Sequence, residues 1–167
     1  RLRETVGGLE ELCASAIGLY GEFLFLVRCG LFDRIVHLDA PFIVMRSHTG
    51  SWSEVNLEIE KYLTAGQELV RRSAAVMRHP SLADDFRQNL LGICRLHLYT
   101  FAYKSARLEI AQGEFGPHAV CRALARLARE HGRTRRTYAD ETGSAQIRVF
   151  LDFLPALARH VLLVMGT

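Results

Sequence analysis

Hydrophobic and polar positions follow two different rhythms along this chain, and the change falls near residue 53. Before it, the apolar runs are short and broken by glycine. "LEELCASA" predicts a brief helix that Gly18 and Gly21 interrupt. The nearly continuous apolar run from Glu22 to Val27 predicts a short buried helix with Gly30 as its C-cap. "RIVHL" (34–38) and the "FIVM" of 42–45 are β-branched and apolar, and they predict two short strands separated by Asp39-Ala40-Pro41. Pro41 confines the second strand to an edge or a strand start.

After Ser53 the period becomes helical. Val55, Ile59, Tyr62, Leu63, Leu69, Val70 and Val76 share one face of a helix that Ser53 would cap, and Gly66 weakens it without breaking it. Pro80 closes that segment. Ser81 opens a second helix running to about Ala111, with Asp84 and Asp85 near its positive end. A third spans "HAVCRALARLAREHG", with Val120, Leu124 and Leu127 on one side and arginines on the other, and Gly132 ends it. "RTRRTYADETG" reads as a polar connector. The last helix starts near Ser144 and carries a kink at Pro155. The expected architecture is therefore an α/β piece, one short helix and two short strands, over residues 1–53. A region of about four helices over 54–167 follows, and the chain is helix-dominated overall.

The length of 167 residues and the 49% apolar content support a sizeable core. The net charge of +3 is mild. Basic residues are spread over several helical faces, which argues against a nucleic-acid partner. The four cysteines form no C-x-x-C pair and read as reduced, buried thiols of a cytoplasmic protein. The seven histidines show no metal-binding spacing. His97, His118, His131 and His160 fall on helices and are given no role. No apolar run is long enough for a transmembrane segment.

The chemistry concentrates at "LDAPFIVMRSHTGSWS", residues 38–53. Arg46 and His48, two apart at a strand end, project to the same face. A guanidinium fork and an imidazole that converge suit a phosphate or carboxylate, with His48 also a possible metal ligand. Thr49, Gly50 and Ser51 add hydroxyls and a closely approachable backbone. The same residues read equally as an ordinary solvated strand end followed by a turn. Trp52 reads either as a sugar contact or as a cap on the core. Glu22 reads as an acid favoured by the helix dipole or as a general base.

Three motifs tip this balance: "VGGLEE" at 6–11, "GEFLFLVRCG" at 21–30 and the 38–53 stretch, where Leu38, Pro41, Arg46, His48, Gly50, Ser51 and Ser53 fall in register. Their order resembles the C-terminal part of the catalytic domain of family 2 glycosyltransferases, which have the GT-A fold. The resemblance covers about the first third of the chain. It implies transfer of a sugar from a nucleotide-diphosphate donor to an acceptor. Glu22 would be the catalytic base, Arg46, His48 and Ser51 would hold the donor diphosphate, and Trp52 would contact acceptor or sugar. It further implies a divalent metal, Mn or Mg, whose ligands lie mostly outside this chain, with His48 a possible exception. The nucleotide-binding half and its Asp-x-Asp motif are absent from the sequence. The chain is accordingly expected to be a fragment that pairs with that missing half or with another copy of itself. The competing expectation is a non-catalytic helical protein-interaction module.

Overall fold

The computed structural model describes residues 7–8, 10, 17–32, 34, 57–113, 116–143 and 147–166. A 3₁₀ turn, Gly18–Tyr20, leads into α1, Gly21–Cys29. Then come α2, Ile59–Met77; a 3₁₀ turn, Pro80–Leu82; α3, Phe86–Ala111; and α4, Pro117–Thr142. A single helical turn, Arg148–Leu151, precedes α5, Phe153–Met165.

This corrects the expected α/β class. Every element among the described residues is helical and none is a strand. Residues 35–38 and 42–45, assigned above to strands, lie outside the described residues. The physical reason shows at α1, which packs on a helix among the described residues. Leu24, together with Ile17 and Tyr20 of the preceding turn, packs against Tyr62, Ala65 and Leu69 of α2. Its apolar face is satisfied by helix-on-helix contact.

The long helix α3 is the hub, with α2, α4 and α5 packed around it. That placement explains its composition. α2 and α4 each bury one stripe, whereas α3 buries Leu90, Cys94, Leu98, Phe101 and Ala102 and also the polar His97, Ser105 and Glu109. Ala74, Ala102, Ala106, Ala119 and Ala123 in the shared core let the helix backbones approach closely.

Three boundaries differ from expectation. α3 begins at Phe86 and not at Ser81, because Pro80–Leu82 forms a separate 3₁₀ turn. α4 runs straight through Gly132 to Thr142, so the "connector" is helix. A mid-helix glycine costs about 1 kcal/mol relative to alanine. Against that stands the burial of Tyr138, 1% exposed, whose ring lies 4.9 Å from that of Phe150. Burying a large side chain contributes roughly 1.5–3 kcal/mol and an aromatic pair about 0.5–1.5 kcal/mol more, so the helix continues. α4 ends at Gly143, whose φ of 82° suits glycine. Finally, Pro155 produces no kink. The break comes earlier, at Asp152, and Pro155 sits in the first turn of α5, where its missing N–H has no helical acceptor to lose.

Candidate functional site

Of the residues nominated from sequence, Glu22 is described: it is exposed, in the first turn of α1. Arg46, His48, Ser51 and Trp52 lie outside the described residues, and so does the helix-capping role given to Ser53.

The polar chemistry that the structure does bring together lies elsewhere, among α2, α3 and α4. Glu130 of α4 is 1% exposed. Its Oε1 lies 2.7 Å from His97 Nε2 on α3, and the Gln67 amide on α2 donates to both carboxylate oxygens at 3.2 and 3.1 Å. One guanidinium nitrogen of Arg133 approaches Oε2 at 3.9 Å from the solvent side. A carboxylate accepts only, so the His97 proton belongs on Nε2. Nδ1 then has no hydrogen-bond partner and faces Gly66. A Cβ at position 66 would lie 1.8 Å from Nδ1, so the helices meet here only because residue 66 is glycine. With its second nitrogen packed on backbone, His97 is a latch between helices and offers no free nitrogen to a ligand.

A second buried carboxylate, Glu109 at 0% exposed, ends the buried stripe of α3. Arg122 donates to its Oε2 through Nε at 3.0 Å and Nη2 at 2.9 Å, and Arg126 donates to Oε1. Two forked guanidiniums neutralise one carboxylate, which makes its burial tolerable.

Between α2 and α4 runs an open groove of about 580 Å³, lined by Gln67, Glu68 and Arg71 on one wall and Arg133, Thr134, Arg136 and Asp140 on the other. Glu68 is spoken for. It accepts from Arg71 at 2.9 and 2.6 Å and from Arg72 at 2.6 Å, and these bonds hold its carboxyl down at about 2. Thr134 is 3% exposed, and its hydroxyl has no hydrogen-bond partner.

Sequence reasoning missed Glu130, Glu109 and His97. The signals were present. His97 falls on the apolar face that includes Leu90, Cys94 and Phe101, and Gly66 is an unexplained glycine among good helix formers. Cys94 is buried as expected, and burial pushes its thiol up to about 12. Cys121, by contrast, is exposed.

Among the described residues no cluster of three or more His, Cys, Asp or Glu is placed to hold a metal ion, and no helix is long and apolar enough to cross a membrane. No protein-family model matches the chain, and neither the curated proteins nor the solved structures yield a match.

Proposed function

We propose that the chain is part of a family 2-like glycosyltransferase that moves a sugar from a nucleotide-diphosphate donor to an acceptor hydroxyl. The observation that carries this reading is the register of Leu38, Pro41, Arg46, His48, Gly50, Ser51 and Ser53 within one sixteen-residue stretch. Glu22 adds support, because an exposed carboxylate on a helix anchored to α2 is open to an acceptor. In this reading Glu22 takes the acceptor proton as that oxygen attacks the anomeric carbon. The bond from the sugar to the donor diphosphate breaks, and the leaving diphosphate takes its charge to Arg46, His48 and Ser51. Trp52 offers a flat apolar face to a sugar ring. The described residues supply no metal cluster. The Mn or Mg that the resemblance implies would, on that resemblance, take its ligands mostly from outside this chain, with His48 the one candidate within it, and no step here is routed through it. The donor, an acceptor and either a nucleotide-binding half or a second copy are the partners of this reading. A cytoplasmic location accords with free Cys29, Cys94 and Cys121.

The test is turnover of a nucleotide sugar by the whole protein carrying Arg46→Ala, His48→Ala or Glu22→Gln. Each should lose at least about a hundredfold in kcat/KM, the usual scale for a positioned base or charge stabiliser, with little loss of thermal stability. Wild-type turnover across the series rules the reading out.

The second reading, a non-catalytic helical protein-interaction module, is favoured by exposed leucines near the end of the fold. Leu151 is 57% and Leu163 70% exposed, and Leu154 and Leu162 add to the same region. Leu151→Lys with Leu163→Lys would then abolish partner capture, and the three substitutions above would leave it intact.

A further inference from the structure

We infer that the groove between α2 and α4 is a binding site for a small phosphate monoester that also carries hydroxyl groups. The inference stands apart from both readings above, since none of its residues belongs to residues 1–53 or to α5.

Charge comes first. Arg133 and Arg136 stand one turn apart on α4, both exposed, with side chains on neighbouring positions of one face. Arg136 has no ion-pair partner among the described residues, and Arg133 reaches Glu130 only at 3.9 Å. Across the groove, Arg71 and Arg72 hold Glu68 between them. In and beside the groove, four guanidiniums face the carboxylates Glu68 and Asp140, with buried Glu130 behind. One positive charge is left uncompensated: Arg136 is the unpaired fork for a phosphate among the described residues, and Arg133, held to Glu130 only at 3.9 Å, stands one turn away to share it.

The independent observation is Thr134. A buried hydroxyl without a partner costs about 1–3 kcal/mol, and this one lies between the two arginines in sequence, on the groove wall. A phosphate oxygen seated on Arg133 and Arg136 would give it the acceptor it lacks. Asp140, one turn beyond Arg136, would repel a bare anion; as an acceptor-only group it instead suits a ligand hydroxyl. The volume of about 580 Å³ matches a small-molecule site.

The test titrates the protein with inorganic phosphate and with glycerol 3-phosphate at constant ionic strength, with chloride as the control anion. Glycerol 3-phosphate should bind more tightly than phosphate, and Arg136→Gln should weaken both by about tenfold or more. Asp140→Asn should erase the preference for the hydroxylated probe. Thr134→Val should raise the melting temperature of the free protein while weakening phosphate binding, a split that a purely structural threonine does not produce. All three positions can be followed for folding by circular dichroism, and Arg136 and Asp140 are exposed, so those variants keep the fold. A phosphate response no larger than that to chloride overturns the proposal. Affinities unchanged by Arg136→Gln overturn it too. A preference that survives Asp140→Asn overturns its hydroxyl half.

Discussion

Replacing Gly66 with alanine tests the latch between α2, α3 and α4 at its tightest point. The new Cβ would stand 1.8 Å from His97 Nδ1, 2.2 Å from Cε1 and 2.7 Å from Cγ, so the ring or the helix has to move. The ring is 0% exposed and held through Nε2 by Glu130 at 2.7 Å. Moving it breaks a hydrogen bond to a buried carboxylate, a loss of about 1.5–3 kcal/mol. Moving the helices instead costs the usual penalty for overpacking, about 1–3 kcal/mol. Alanine returns about 1 kcal/mol of helix propensity. The net expectation is destabilisation by up to about 2 kcal/mol, or a fall in melting temperature of up to roughly 8 °C for a chain of this size. Gly132→Ala is the internal control. It is the same substitution in a helix of the same body, but its Cβ would meet nothing within 4 Å, so it should stabilise by up to about 1 kcal/mol. Urea unfolding followed by circular dichroism measures both. On a His97→Ala background, Gly66→Ala should cease to destabilise, which makes the pair strongly coupled. If Gly66→Ala is as stable as the parent, or if the two glycines respond alike, the latch is wrong.

Glu109→Ala removes the buried acceptor of Arg122 and Arg126, whose side chains are 43% and 25% exposed and turn to water, so the cost in denaturant unfolding should be that of charged hydrogen bonds, about 1.5–3 kcal/mol. Cys121 is exposed, whereas Cys94 is buried with its thiol pushed up to about 12. A thiol reagent at neutral pH should therefore label Cys121 promptly and Cys94 only as fast as the protein unfolds, as mass spectrometry of the labelled peptides would read out. Glu68 has its folded-state carboxyl lowered from 4.5 to about 2, so the stability its arginine pairs contribute is present above 4.5 and is lost as the pH falls towards 2. These are surface pairs worth about 0.3–0.5 kcal/mol each, so the stability difference between the parent and Glu68→Gln should shrink by somewhat under about 1 kcal/mol across that window. A difference that stays flat with pH removes Glu68 from the account.

The helical half of the fold was legible because helices advertise themselves through a 3.6-residue rhythm that burial enforces. Ile59, Tyr62 and Leu69 mark α2, and Leu90, Cys94 and Phe101 mark α3, as the structure has them. Glycine and proline misled where tertiary contact outweighed local preference. Gly132 reads as a stop, yet Tyr138 beyond it is buried against Phe150 and draws the helix on. Pro155 reads as a kink, but the helix break at Asp152 places it in the first turn of α5, where proline is harmless. The latch was not legible for another reason. Gln67, His97 and Glu130 lie far apart in sequence, and each alone is an ordinary polar helical residue. Only the approach of three helices turns them into one network, and the space left by Gly66 permits that approach. Glu22 was visible as an acid at a helix start, and its exposure agrees with that position. The motif at 38–53 rests on its register alone, since it lies outside the described residues.

The central functional claim is that Glu22 and the Arg46–His48 element serve one donor site, and paramagnetic broadening tests it most directly. In the whole protein, Mn²⁺ added together with a nucleoside diphosphate should broaden the backbone amide signals of both Glu22 and His48, and Arg46→Ala should abolish both effects. Broadening of one residue without the other, or of neither, would contradict a shared site.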